Sequence, residues 1–339
     1  MFDIPVLWQA AAAILAGFAG LIWSADRFIG GSAAIAKNFG LSPLIIGMTI
    51  VALGTSAPEM VVSINASLEG LGELAIGNAL GSNLANIGMV LAITALISPL
   101  PILKHLLTRE IPVMLLVTAV AGWFLFDATL SAIEGGILLG LLLPLMGLMI
   151  LNQRNHPGPT DDNTDIPDMT TVLALVWFVV GLTLLIISSK ALVWGAQEVA
   201  LSFGVSPLII GLTVIAVGTS LPELAATITS ALKGHHDMAI GNIIGSNIFN
   251  ILTVMSLPGL FGLPTMDEVV FWRDYLSMAG MTLLLVAAIA VDYFFRSRAT
   301  EPQANPANQG VARLGRRIGC LLLLAYGAYY YLLFAPTAA

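Results

Sequence analysis

The chain has 339 residues, of which 58% are hydrophobic and only 10% charged. A soluble domain carries about 25% charged residues, so most of this surface is not built for water. Lys and Arg number 13 against 20 Asp and Glu, a net charge of −7 that excludes a nucleic-acid binder, and the single cysteine, Cys320, excludes a disulfide framework and a thiolate metal site.

The composition is that of a polytopic membrane protein without a large soluble domain. A span takes about 20 apolar residues. Polar breaks, taken in chain order, predict an all-α protein of ten spans, roughly 5–27, 41–68, 72–98, 109–126, 130–151, 169–195, 205–232, 236–260, 274–295 and 314–334. The first follows Met-Phe-Asp-Ile-Pro, which has no basic n-region, and reads as a retained span and not a signal peptide. Residues 152–168 hold Asp161, Asp162, Asp165 and Asp168 among three prolines and read as an acidic linker between a first half, 1–151, and a second, 169–339. With the N-terminus outside, 11 of the 13 Lys and Arg fall in inside loops, among them Lys37, Arg109 and Lys233, and only Lys190 and Arg273 fall outside. The positive-inside rule then places both termini on the extracytoplasmic side, and the short loops fit a plasma (inner) membrane protein.

The chain repeats itself. Residues 36–90 align with 200–254 at a constant offset of 164, without a gap, and 29 of the 55 positions are identical. Gly54-Thr55-Ser56-Ala57-Pro58-Glu59 matches Gly218-Thr219-Ser220-Leu221-Pro222-Glu223. Gly77-Asn78-Ala79-Leu80-Gly81-Ser82-Asn83-Leu84-Ala85-Asn86 matches Gly241-Asn242-Ile243-Ile244-Gly245-Ser246-Asn247-Ile248-Phe249-Asn250. Each half has five predicted spans, an odd number, so the second enters the membrane from the opposite side. Inverted repeats of this kind build secondary transporters, with the substrate between the halves.

The repeated residues are oxygen donors. Glu59 and Glu223 lie well inside apolar spans, where a carboxylate faces a cavity, pairs, or takes a proton. Pro58 and Pro222 lack an N–H, which frees the carbonyls of Gly54 and Gly218, with those of Ala52 and Ala216 nearby, to turn toward a cation. Thr55 and Ser56 share the helix face of Glu59, and Thr219 and Ser220 that of Glu223. Asn78, Ser82 and Asn86 form a second stripe, repeated as Asn242, Ser246 and Asn250. Asn83 and Asn247 point about 100° away from it and rank lower as ligands. The Gly-x-x-x-Gly pairs read as helix packing. All four histidines fall in predicted loops, so the donors suit hard cations such as Ca2+ and Na+ better than Zn2+ or Cu2+. Two glutamates supply a charge that one Ca2+ or two monovalent cations neutralise.

The doubled Gly-Thr-Ser-x-Pro-Glu and Gly-Asn-x-x-Gly-Ser-Asn-x-x-Asn motifs resemble the two α-repeats of the cation/calcium exchanger superfamily, and most of all its bacterial and archaeal sodium/calcium exchangers. The resemblance implies ten helices in two inverted five-helix halves, with spans 1 and 6 sliding as gates across the other eight. It makes Glu59 and Glu223 the central Ca2+ and Na+ ligands. Thr55, Ser56, Thr219, Ser220, Ser82 and Ser246 become flanking Na+ ligands, and Ala52 and Ala216 carbonyl donors. Asn86 and Asn250 fill the remaining central positions. Potassium-dependent members carry an aspartate at one of these last two; here both are neutral. Proton-coupled members carry Gly-Asn-x-x-Glu where this chain has Gly-Thr-Ser-x-Pro-Glu.

The expected function is a secondary antiporter exchanging Na+ for Ca2+ in the lipid bilayer, with no organic cofactor and no nucleotide drive, since no P-loop motif is present. A proton-coupled Ca2+ antiporter is the first alternative and a cation channel the second. An intramembrane enzyme lacks a midplane nucleophile with a base. Asp26 and Lys190 align in the repeat and read as interfacial anchors, with a gating role as the alternative. His235-His236-Asp237 reads as a short polar turn.

Overall fold

The computed structural model describes residues 4–103, 105–155, 167–204, 216–262, 264–299 and 312–334. Among these the chain is almost wholly helical: α1 (Ile4–Phe39), α2 (Pro43–Thr55), α3 (Ala57–Leu68), α4 (Gly72–Ile97), α5 (Leu106–Leu125), α6 (Ala132–Asn155), α7 (Thr171–Ser202), α8 (Ala216–Thr219), α9 (Leu221–Leu232), α10 (His236–Phe261), α11 (Val270–Phe295) and α12 (Arg316–Phe334). Eight of them are long and apolar enough to cross a membrane, and α2 with α3 makes a ninth if a helix bent by 45° counts as one span. The first part of the predicted span 205–232 lies outside the described residues, as does most of the acidic linker, including Asp161, Asp162 and Asp165.

The sequence punctuates its helices locally. Ser42 caps α2 by accepting the Ile45 N–H, with Pro43 in the first turn, and Thr170 caps α7 by accepting the Leu173 N–H. Just beyond the ends of α1, α3, α7 and α9 stand Gly40, Gly70, Gly204 and Gly234, all left-handed (φ +63° to +80°). A Cβ would be strained there. They form two pairs at the repeat offset.

Two apolar clusters divide the molecule. The larger is built mainly from α4, α5, α10, α11 and α12. The smaller joins α1 and α7 to the start of α2 and to α9, through Phe28, Ile29, Ile46, Ala174 and Leu185. Outward faces carry Trp8, Leu15, Phe18, Trp123, Leu143 and Val172, all exposed and apolar, as a lipid-facing surface requires. Small residues set the separation of α1 and α7. A Cβ on Gly181 would lie 2.6 Å from the Phe28 amide nitrogen, and one on Gly31 2.7 Å from that of Phe178. Gly241 and Gly245 pack α10 on α2 in the same way, against the Leu44 carbonyl and Ala52, as the Gly-x-x-x-Gly reading expects. Leu208, the partner that the repeat offset assigns to Gly77, lies outside the described residues.

Three expectations need correction. The first helix does not stop at residue 27 but runs to Phe39. Its charges are accommodated: Asp26 pairs with Lys233 at 2.7 Å, and the Arg27 guanidinium sits over the rings of Trp23 and Trp177. The polar loop before the last span contains a strand, β2 (Ala312–Leu314), antiparallel to β1 (Leu100–Ile102). The histidines are not all in loops, because His105 and His236 begin helices. His105 lies 3.5 Å from the buried Glu110 carboxylate, and His156 is outside the described residues. Lys190, the repeat mate of Asp26, is exposed.

The α1–α7 contact yields a packing prediction. Gly181→Ala forces the helices apart and costs about 1–3 kcal/mol, read as a drop of several degrees in the thermal unfolding midpoint in detergent. Gly140→Ala, where a Cβ meets nothing within 4 Å, leaves the midpoint unchanged.

Candidate cation site

The site begins with two broken helices. Helix α2 ends at Thr55, Ser56 leaves the helical region (φ −81°, ψ 4°), and α3 starts at Ala57 with Pro58 in its first turn. The second half repeats this. Thr219 ends α8, Ser220 has φ −86° and ψ 4°, and α9 starts at Leu221 with Pro222 in its first turn. The breaks put Glu59 and Glu223 in first helical turns, where unpaired backbone N–H groups and the helix dipole favour a negative charge. Ser56-Ala57-Pro58-Glu59 has capping-box spacing, yet Ser56 makes no side-chain cap. Its hydroxyl instead donates to Glu223 Oε1 at 3.2 Å, across 167 residues of sequence.

Other bonds frame the two carboxylates, one of them between the halves. Thr55 Oγ1 donates to Asn242 Oδ1 at 3.2 Å, and Asn242 Nδ2 donates to Thr227 Oγ1 at 2.9 Å. Asn78 Nδ2 donates to the Glu59 backbone carbonyl at 3.2 Å. Asn78 and Asn242, read in the sequence as members of a donor stripe, thus hold the surrounding frame. Asn86 and Asn250 each open a π-helical segment, Asn86–Leu91 and Asn250–Val254, a local widening frequent at functional sites.

Burial is nearly complete. Glu59 is 0% and Glu223 1% exposed, and Thr55, Ser56, Ser220, Ser82, Ser246, Asn86 and Asn250 are buried with them. Thr219 is half-buried, and Ala216 stands at the edge of the described segment. Many of these groups have no hydrogen-bond partner among the described residues: both Glu59 carboxylate oxygens, Glu223 Oε2, the hydroxyls of Ser220 and Ser246, Asn86 Oδ1, and both polar atoms of the Asn250 amide. A buried polar group left unpaired costs about 1–3 kcal/mol, more when charged. The two carboxylates also repel each other. Almost every atom in this set is an oxygen, and a hard cation satisfies such a set. Among the described residues no three His, Cys, Asp or Glu side chains cluster as a metal site, so a transition-metal centre has no ligands there.

The freed-carbonyl reading fares unevenly. The Gly218 carbonyl accepts the Ser189 hydroxyl at 2.9 Å, which takes one of its two lone pairs. The Ala52 carbonyl accepts the Ser56 N–H at 3.0 Å and lies 3.4 Å from the Thr55 hydroxyl oxygen. Sequence reasoning missed Ser189, whose repeat position is Ala25 and gives no signal. It also missed Thr227 and its repeat mate Ser63, which donates to the Val254 carbonyl at 2.8 Å. A hydroxyl at both matched positions was the available signal.

A family model described as sodium/calcium exchanger protein matches residues 9–151 and 173–335. The chain belongs to that family. It is 40% identical to the inner membrane protein YrbG of Escherichia coli (strain K12), over 81% of this chain and 87% of that one. The sodium/calcium exchanger MaX1 of Methanosarcina acetivorans is 30% identical over 83% of this chain and 91% of that one. A solved structure of the sodium-calcium exchanger NCX_Mj, soaked with zero Na+ and Ca2+, superposes with a TM-score of 0.78 at 31% identity, covering 96% of this chain and 99% of that one. This member of the exchanger family is a multi-pass membrane protein, a secondary transporter and not an enzyme. It is an antiporter of the Ca2+/cation class, and the family's transported ions, Na+ and Ca2+, are substrates, with no organic cofactor indicated.

Protons compete with cations for carboxylates buried as Glu59 and Glu223 are. Ca2+ transport by the exchanger is therefore expected to slow severalfold between about pH 7.5 and about pH 5. A rate that stays flat over that range in reconstituted vesicles contradicts a carboxylate site.

Proposed function

We propose that this chain exchanges Na+ for Ca2+ across the inner membrane by alternating access, through one site centred on Glu59 and Glu223. The observation that carries the reading is the buried set of oxygen acceptors around those carboxylates, unpartnered among the described residues and contributed by matched positions of both halves. Each half breaks a helix at the same place, so the site lies where the two repeats meet. Ten spans in two inverted five-helix repeats, 1–151 and 169–339 joined by the acidic linker 152–168, account for that matching.

In this account Glu59 and Glu223 are the central ligands of either ion. Asn86 and Asn250 complete the centre with neutral amide oxygens, so the site carries two formal charges. Thr55, Ser56, Ser82, Thr219, Ser220 and Ser246, with the carbonyls of Ala52 and Ala216, supply the flanking Na+ positions. One Ca2+ or two Na+ neutralise the carboxylates. An unloaded pair of buried charges costs several kcal/mol, so the site crosses between its two exposures when loaded and not when bare. That asymmetry makes transport an exchange and not a leak. Gly-Thr-Ser-x-Pro-Glu in both halves supports Na+ over H+ as the coupling ion. The excess of Lys and Arg in alternate loops supports extracytoplasmic termini, and the similarity to an inner membrane protein supports the location.

The test is radioactive Ca2+ uptake into Na+-loaded proteoliposomes diluted into Na+-free buffer. Uptake that needs internal Na+, and falls to background in Glu59→Gln/Glu223→Gln, is the expected result. Uptake driven by an imposed pH gradient and indifferent to Na+ overturns the Na+ coupling.

A further inference from the structure

Asn83 and Asn247 rank low as ligands by helix geometry, yet both are buried, at 1% and 2% exposure, between the two halves. They are repeat mates, 164 residues apart, and they touch: Asn83 Nδ2 donates to the Asn247 backbone carbonyl at 3.2 Å. The contact of a residue with its own repeat mate marks the line where the halves cross. Three residues further along, Asn86 Nδ2 donates to Asn247 Oδ1 at 3.3 Å. The other end of that amide, Asn86 Oδ1, has no partner among the described residues.

We infer that Asn247 is a positioning residue: it holds the NH2 end of Asn86 so that the amide presents its oxygen to the transported cation. This rests on the exchange site proposed above. An asparagine amide is a donor at one end and an acceptor at the other. A half-turn about its last torsion swaps a cation ligand for a pair of N–H groups that repel a cation. Asn247 Oδ1 decides between the two. With the Asn247 amide in the orientation seen, the turned Asn86 amide would set two buried acceptor oxygens against each other. The Asn83 bond to the Asn247 carbonyl holds the backbone that carries this side chain, and the far end of the Asn247 amide, Nδ2, is buried without a partner among the described residues. Nothing in this role requires Asn247 to touch an ion.

The test is a double-mutant cycle on purified, detergent-solubilised protein, read as Ca2+-dependent thermal stabilisation and as half-saturating Ca2+ for uptake in proteoliposomes. Asn247→Leu keeps the volume and removes the acceptor. It is expected to raise half-saturating Ca2+ about tenfold, the loss of one buried polar interaction. Asn247→Asp keeps an acceptor and stays at or below the wild-type value. Asn86→Leu/Asn247→Leu is no weaker than Asn86→Leu alone, because the second change acts only through the first residue. If Asn247→Leu does not fold, Asn247→Ala takes its place in the cycle. Equal weakening by the Leu and Asp variants, no weakening by Leu, or additive effects of the two sites overturns the inference. Wild-type protein that shows no Ca2+-dependent stabilisation, with Glu59→Gln without effect, instead overturns the exchange site itself.

Discussion

Everything in this molecule answers to two carboxylates held where water is scarce. Glu59 and Glu223 are essentially fully buried, repel each other, and lie in a chain whose surface is largely apolar. No basic side chain neutralises them: among the described residues the ion pairs are Lys37–Asp168, His105–Glu110, Lys233–Asp26 and Arg273–Asp274, all elsewhere. The protein offers partial charges instead, from two helix N-termini and one serine hydroxyl. These lessen the cost of the negative charge without cancelling it.

The helix breaks are the device that reconciles this site with a bilayer. An unbroken span satisfies its own backbone and would present Glu59 mid-helix, far from any orphan N–H. Ser56 and Ser220 interrupt the spans, and Pro58 and Pro222 begin the next segment, so each glutamate sits at a new helix start. Side chains at and near the breaks then bond across to the opposite half. Ser56 reaches Glu223, Thr55 reaches Asn242, and Asn86 reaches Asn247. The frame of the site is thus an interface between repeats.

Much of this was legible in the sequence, because the informative signals were local or repeated. The offset of 164 paired the two glutamates before any coordinates. The bounds of Gly72–Ile97 and His236–Phe261 fall within a residue or two of the polar breaks. What escaped depends on distant partners. Asp26 and Arg27 looked like the end of a span because charges rarely continue one; Lys233, Trp23 and Trp177 accommodate them. Strands β1 and β2 are three residues each and exist only by pairing across the chain. The Gly218 carbonyl looked free until Ser189, on another helix, was seen to bond it. Asn247 was set aside for facing away from the ligand stripe, and facing away is what lets it hold Asn86.

The central claim is that a single set of oxygen donors serves both ions, and competition at equilibrium tests it most directly. Ca2+ binding to purified protein is measured by titration calorimetry at increasing Na+, with ionic strength held constant by a bulky organic cation. With a shared site, Na+ displaces Ca2+ completely and the apparent Ca2+ Kd rises more steeply than in proportion to Na+, since more than one Na+ replaces each Ca2+. A Ca2+ Kd indifferent to Na+ would contradict a shared site.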